Sequence, residues 1–247
     1  MIPLKSEEDL KMMRIAGKIL ARIMQRIQEY IQIGITTQEI DNFAEELIKK
    51  ENVIPAFKGY RQFPACICTS INEEVVHGIP SERRLKEGDI LSLDLGINYQ
   101  GYFSDCAITI GIGKISSSAK KLIAVTQKAL SEGIKQAKVD NQLGDISFAI
   151  QNYVESHGFS VVREFVGHGI GRSLHEEPQI PNFGRPHQGI RLKSGMVFAL
   201  EPMVNMGSWQ TRITDNGWTA VTKDGLPSAH FEHTIAITQN GPQILTC

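Results

Sequence analysis

The sequence predicts an α+β fold built from two related halves, and three observations carry that prediction. The order helix, helix, strands occurs twice along the 247 residues. A ten-residue stretch recurs, Leu85 to Asp94 (LKEGDILSLD) against Leu192 to Glu201 (LKSGMVFALE), and the strand segments are antiparallel in character. No linker rich in Gly, Ser or Pro divides the chain. One domain spanning 1–247 is therefore expected, with internal repeats at about 6–112 and 116–240, strands inside and helices outside.

Taken in order, Leu10, Met13, Ala16, Leu20, Ile23, Ile27 and Ile31 recur at helical spacing, so residues 6–31 form one long amphipathic helix. Gly34 ends the connection, and Thr36 with Glu39 forms a capping box for a second helix carrying Ile40, Phe43, Ala44, Leu47 and Ile48. Beyond Ser116 to Ser118 a third helix carries Leu122, Val125 and Ala129. A fourth, from about Gly144, carries Ile146, Ala149, Ile150, Tyr153 and Val154. The second and fourth helices align at an offset of 106, close to the 107 residues that separate Asp94 from Glu201.

Composition narrows the function. A net charge of −1 supplies no electrostatic reason to bind nucleic acid or an anionic membrane. The N-terminus lacks a basic segment followed by an apolar stretch, and no apolar run approaches the ~20 residues that span a bilayer, so a cytoplasmic protein is expected. The four cysteines, Cys66, Cys68, Cys106 and Cys247, form no CxxC pair, which argues against a zinc ribbon or a disulfide framework.

The strands hold an unusual set of acids. In ILSLDLGINYQGYFSDCAI (90–108) a tight turn at Asn98 to Gly101 would set Asp94 and Asp105 face to face, with Cβ atoms ~5 Å apart, where like charges repel. Asp94 alone would suit the wet face of a strand. Glu201 does not, because Val197, Ala199 and Met203 share its face while Met196, Phe198 and Leu200 fill the other. Burying an ionised carboxylate without a partner costs several kcal/mol, and no Lys or Arg lies at strand spacing from Glu201, which favours a metal ion as counter-charge. Ser104 to Ile108 resembles Phe231 to Ile235, making Glu232 the counterpart of Asp105. His168, between Gly167 and Gly169, is a further ligand candidate; a lone histidine is more often a core or surface residue, but four strand carboxylates change that weighting. An oxygen-rich set with one imidazole suits Mn, Fe, Co or Zn, and four negative charges balance two divalent ions.

Asp94 in LDLG, Asp105 in SDCA, His168 in GHGIG, Glu201 in LEP and Glu232 in FEHT together resemble the metal ligands of the type 1 methionine aminopeptidases, which have the pseudo-twofold pita-bread fold. The similarity covers essentially the whole chain and suggests the short bacterial form, without a zinc-binding N-terminal extension. It implies two divalent metal ions (Co, Mn, Fe or Zn) and removal of the initiator methionine from nascent proteins with a small second residue. By the same resemblance Glu201 is a proton acceptor as well as a ligand, His175 in SLHEEP contacts the scissile peptide, and His77 in VVHGIP lies near the new amino group. Tyr60, Cys68 and Trp218 match the lining of the methionine pocket; Phe57, Phe63 and Leu174 occupy matching positions where a bacterial relative carries other residues. Asn72 and Ser228 resemble part of a site for Na or K. His157, His187, His230 and His233 are expected to be structural or surface histidines.

The resemblance also implies transient contact with the ribosome, for which Arg83, Arg84 and Lys86 form a small basic cluster, although a solvated loop is the simpler explanation of these charges. The protein is expected to act as a monomer. Two rivals share the scaffold: an Xaa-Pro peptidase, which usually carries an additional N-terminal domain, and a non-catalytic protein-binding relative, which would typically have lost ligands.

Overall fold

A computed structural model describes residues 2–247. Four helices flank a nine-stranded sheet: α1 (Glu7–Tyr30), α2 (Thr37–Lys50), α3 (Ser117–Gln136) and α4 (Leu143–Ser156). Each helix begins where a side chain can take up its free N–H groups. Ser6 caps α1 with Asp9 reaching back, Thr36 caps α2 with Glu39 reaching back, and Ser116 caps α3. Helices α2 and α4 both have 14 residues and sit 106 positions apart.

The sheet runs continuously from one half to the other. Strand Ile90–Tyr99 pairs antiparallel with Tyr102–Gly111, which pairs with Glu232–Thr238, and that strand pairs in turn with Val197–Leu200. The short strand Gly167–Gly169 follows, then Glu176–Ile180. In the first half, Leu91, Leu93, Leu95 and Ile97 pack into a core with residues of α1 and α2, among them Leu20, Ile23, Ile40 and Leu47. In the second half, Phe198, Leu200, Ile235 and Ile237 pack with residues of α3 and α4, among them Leu122, Ala129, Ile146 and Ile150. Helices therefore cover the sheet from outside, while Val197, Ala199 and Ala236 on its opposite face pack with Leu10, Met13, Ile170 and Leu174.

The hairpin corrects the expected register. The turn is Gln100-Gly101, with φ of 51° and 83°, so Tyr99 faces Tyr102 and the pairing moves by two residues from that of an Asn98–Gly101 turn. Positive φ at both central residues gives a two-residue loop the twist that the strands require. Asn98 instead accepts a hydrogen bond from the Gly101 N–H through its side chain, at 2.8 Å. Asp94 consequently faces Ala107 and Asp105 faces Gly96, so the two acids are diagonal neighbours on one face rather than direct partners. Each carboxylate has a small residue opposite it, and Gly96 is needed there: a Cβ would lie 2.8 Å from Phe57 Cε1 and 3.3 Å from Asp105 Oδ1. Nor is Asp94's face wet, since Ser92 and Gly96 beside it are buried.

Where the halves meet, threonine hydroxyls complete the backbone pairing. Thr234 Oγ1 accepts from the Asp105 N–H at 2.9 Å and donates to the Asp105 carbonyl at 2.8 Å. From the other half, Thr109 Oγ1 accepts from the His230 N–H and donates to its carbonyl, both at 2.8 Å. Replacing Thr234 by Val would orphan two buried backbone groups, each worth about 1–3 kcal/mol. Urea unfolding of Thr234→Val should show a loss of about 2 kcal/mol or more, largely recovered in Thr234→Ser; a Val variant as stable as the parent would contradict this account of the junction.

Candidate active site

The two halves bring the candidate residues to one cavity of about 130 Å³, lined by Asp94, Asp105, His168, Glu201 and Glu232 together with Phe57, Tyr60, Phe63, Cys68, His77, Leu174, His175 and Trp218. Arg61 also lines it. The hairpin supplies both aspartates, while Glu201 lies just beyond Val197–Leu200 and Glu232 opens the neighbouring strand. His168 sits on a strand whose flanking glycines permit close backbone approach: a Cβ on Gly167 would lie 2.5 Å from the Ala199 carbonyl oxygen, and one on Gly169 would collide with the Glu177 carbonyl. His168 Nδ1 lies 2.9 Å from the Gly169 carbonyl oxygen, which fixes Nδ1 as donor and leaves Nε2 as an acceptor, 3.5 Å from Glu201 Oε1.

Electrostatically the site is incomplete. Burial, reinforced by mutual repulsion, pushes Asp94, Glu201 and Glu232 well above the ordinary carboxylate range, and burial lifts Asp105 to about 7. Asp94 Oδ1, Asp105 Oδ1 and Glu232 Oε1 are buried without a hydrogen-bond partner. Burial and the neighbouring His175 lower His168 to about 4, so its ring is neutral at pH 7 with a lone pair free to ligate. Ligand atoms of Asp105, His168 and Glu232 lie within 4.8 Å of one another. Orphaned anionic oxygens around a neutral imidazole are what a divalent cation satisfies, and the residues present fit one.

Around this cluster the cavity is largely apolar and aromatic. Phe63 meets Trp218 edge-on at 5.2 Å, Tyr60 stacks on His175 at 5.3 Å, and His175 in turn lies 4.2 Å from His168. His77, half-buried and pushed down to about 4 by desolvation, packs edge-on against Phe165 at 5.6 Å. Its backbone has a φ of 59°, a conformation that non-glycine residues adopt chiefly where the surroundings enforce it.

Two residues were not singled out by the sequence. Arg61, with φ of 47°, stands at 5.5 Å over the Tyr60 ring and has no partner at strand or helix spacing that would mark it. His230, expected to be structural or at the surface, is buried at 1% exposed, with an unpartnered Nε2 3.7 Å from Glu201 Oε2. Of the others, His157 contacts the Tyr153 carbonyl, His187 lies exposed beside Asp145, and His233 bonds Thr246. Asn72 and Ser228 stand together, the Ser228 N–H donating to the Asn72 carbonyl at 2.8 Å, but both side chains are engaged: Asn72 with Asp89 and the Ile90 N–H, Ser228 with Val204 and Asn205.

A cavity of buried carboxylates and a neutral imidazole on a shared sheet, with an apolar recess beside it, defines a metal-dependent hydrolase. The family model for metallopeptidase family M24 matches residues 11–239, and this chain belongs to that family. It is 54% identical over 246 residues to the methionine aminopeptidase of Clostridium perfringens (100% of this chain, 99% of the other). Against methionine aminopeptidase 1 of Bacillus subtilis it is 52% identical, with the same coverage. The crystal structure of the Thermotoga maritima methionine aminopeptidase superposes with a TM-score of 0.98 at 47% identity, covering 100% of this chain and 99% of that one. A Pyrococcus horikoshii prolidase superposes at 0.79 and 25% identity, this chain spanning 63% of it. These neighbours share the pita-bread fold.

Because the acids titrate high when metal-free, the folded apo protein holds protons that the unfolded chain has released. The contribution of these acids to stability is therefore greatest at low pH and is lost as pH rises through the raised values, whereas the desolvated histidines, lowered to about 4 at His77 and His168, oppose it below about pH 6.5. Thermal melts of metal-free protein should show a Tm that drops between about pH 7 and pH 9, where the histidines are neutral in both states, and added Mn²⁺ should reverse the trend. A metal-free Tm that rises over that interval would contradict the electrostatics described.

Proposed function

We propose that the chain removes the N-terminal methionine from polypeptides by metal-dependent hydrolysis, with preference for a small second residue. The observation that carries this reading is the convergence of four carboxylates and one neutral imidazole on the same cavity as an apolar, aromatic recess. A thioether is recognised chiefly by packing, and Phe57, Tyr60, Phe63, Cys68, Leu174 and Trp218 offer it little to hydrogen-bond.

Asp94, Asp105, His168, Glu201 and Glu232 would hold two divalent ions, which when bound supply a nucleophilic water at neutral pH and stabilise charge on the scissile carbonyl. Glu201 takes the proton from the attacking water. His175, at the mouth of the cavity and held low in pKa by partial desolvation of its ring and by Arg61, is neutral at pH 7 and donates a hydrogen bond to the scissile carbonyl. His77, also neutral, donates toward the amino group of the departing chain. Mn, Fe, Co and Zn all suit this donor set, since availability and geometry outweigh raw affinity.

Several finer points belong to the same reading. The chain acts as one catalytic domain of two related halves, about 6–112 and 116–240. A monovalent cation near Asn72 and Ser228 would be held by backbone carbonyls, because those side chains are spent elsewhere. We place the enzyme in the cytoplasm as a monomer that meets nascent chains at the ribosome; among the described residues no helix is long and apolar enough to cross a membrane. Within the basic cluster Arg83 pairs with Glu74 at 3.0 Å and Arg84 donates to the Gly34 carbonyl, which leaves Lys86 as the freer charge for such a contact.

The test is release of free methionine from Met-Ala-Ser, with and without added Mn²⁺ or Co²⁺, beside proline release from Xaa-Pro peptides. Metal-dependent methionine release is expected. Asp105→Asn should abolish it while leaving the apo fold intact or slightly stabilised, because a buried ionisable carboxyl is replaced by a neutral amide. Dominant Xaa-Pro turnover, or near-normal activity of Asp105→Asn at low metal, would overturn the proposal.

A further inference from the structure

The loop that carries Leu174 and His175 to the cavity is held by the first residues of the chain. Glu176, next after His175, accepts from the N–H groups of Arg172 (2.7 Å) and Ser173 (3.2 Å) through Oε1, closing the loop on itself. Its other oxygen, Oε2, accepts from Lys5 Nζ at 2.5 Å. The two side chains are 6% and 11% exposed, so this is a buried ion pair joining residues 171 apart. Lys5 is itself fixed, its N–H donating to the Gly195 carbonyl at 2.7 Å. The lysine stem lies directly against Gly171 at the start of the loop, where any Cβ would collide with Lys5 Cε.

A second attachment lies one helical turn further on. Asp9, held well below the ordinary carboxylate range by Ser6 and Tyr102, accepts from the Tyr102 hydroxyl at 2.7 Å and pairs with Arg172 Nη2 at 3.3 Å. The Arg172 guanidinium sits 3.7 Å over the Tyr102 ring and also bonds its hydroxyl. The segment Lys5 to Asp9 thus grips the loop at Arg172 on one side of His175 and at Glu176 on the other. For stability alone a buried ion pair is a poor choice, because desolvation offsets most of its attraction and apolar residues of similar volume serve as well or better. What the pair gives instead is one fixed position for the residue beside it.

We propose that Lys5 and Glu176 are positioning residues for the reaction, their ion pair setting where the His175 imidazole stands relative to the scissile peptide. The inference rests on the assignment of His175 to that peptide. It deepens the assignment by tying the active-site loop to the chain's N-terminal segment.

The discriminating variant is Lys5→Met combined with Glu176→Gln. It removes both charges and leaves no unpaired one buried, while the Gln carbonyl oxygen still accepts from Arg172 and Ser173. With Met-Ala-Ser and Mn²⁺, kcat should fall by about tenfold to a hundredfold with KM within about threefold, since displacement of a group by about 1 Å can cost that much. Mn²⁺ affinity by calorimetry should match the parent, and amide exchange across residues 171–175 should quicken. Lys5→Arg, which keeps the ion pair, should retain more activity than Lys5→Met. His175→Ala is the control for the underlying reading. If His175→Ala is crippled and the double variant turns over normally, the positioning role is overturned; loss of Mn²⁺ affinity in parallel with kcat overturns it too, because the pair would then be merely structural. A normal His175→Ala variant would instead remove the reading of His175 and the inference with it.

Discussion

Four carboxylates drawn into one poorly hydrated cavity constitute the constraint that the rest of this structure answers. No Lys or Arg is paired with any of them among the described residues, and burial alone drives each toward its protonated form. The only cationic candidates in contact are His168 and His230, both pushed to the neutral form by burial. A divalent cation resolves the conflict without a large side chain, and it leaves the imidazole where a neutral ligand is needed. The energetic liability of the folded chain and its chemical capacity are one feature.

The fold meets this constraint by joining two sheets into one. Each half contributes a pair of acids from adjacent strands, and the helices seal the outer faces, where leucine and isoleucine predominate. Small residues opposite Asp94 and Asp105 keep the first pair diagonal, and the Thr234 hydroxyl bonds Asp105's own backbone across the junction. Neither half could assemble the site alone: the aspartates come from one, while His168 and the glutamates come from the other.

Much of this was legible from residue order, because the signals involved are local. The helices start within one residue of expectation, at Glu7, Thr37 and Leu143, and at Thr37 the start is set by a capping box whose partners lie three positions apart. The hairpin register was misread because Asn98 looks like a turn corner, whereas its side chain substitutes for the backbone and the corner falls at Gln100-Gly101. The site survived that error because the shift was two residues, which returns every side chain to the same face. The position of His230 beside Glu201 is not legible in the sequence because Phe231 separates two strands, Ser228–His230 and Glu232–Thr238, so no single period links His230 to the acids. Lys5 and Arg61 reach the site region through tertiary contacts that no spacing encodes.

Anomalous diffraction from a crystal soaked in Mn²⁺ addresses the central claim most directly. Two peaks ~3.5–4 Å apart, enclosed by Asp94, Asp105, His168, Glu201 and Glu232, are the predicted result. A cavity without anomalous density at saturating Mn²⁺, or ions bound only outside those five side chains, would contradict it.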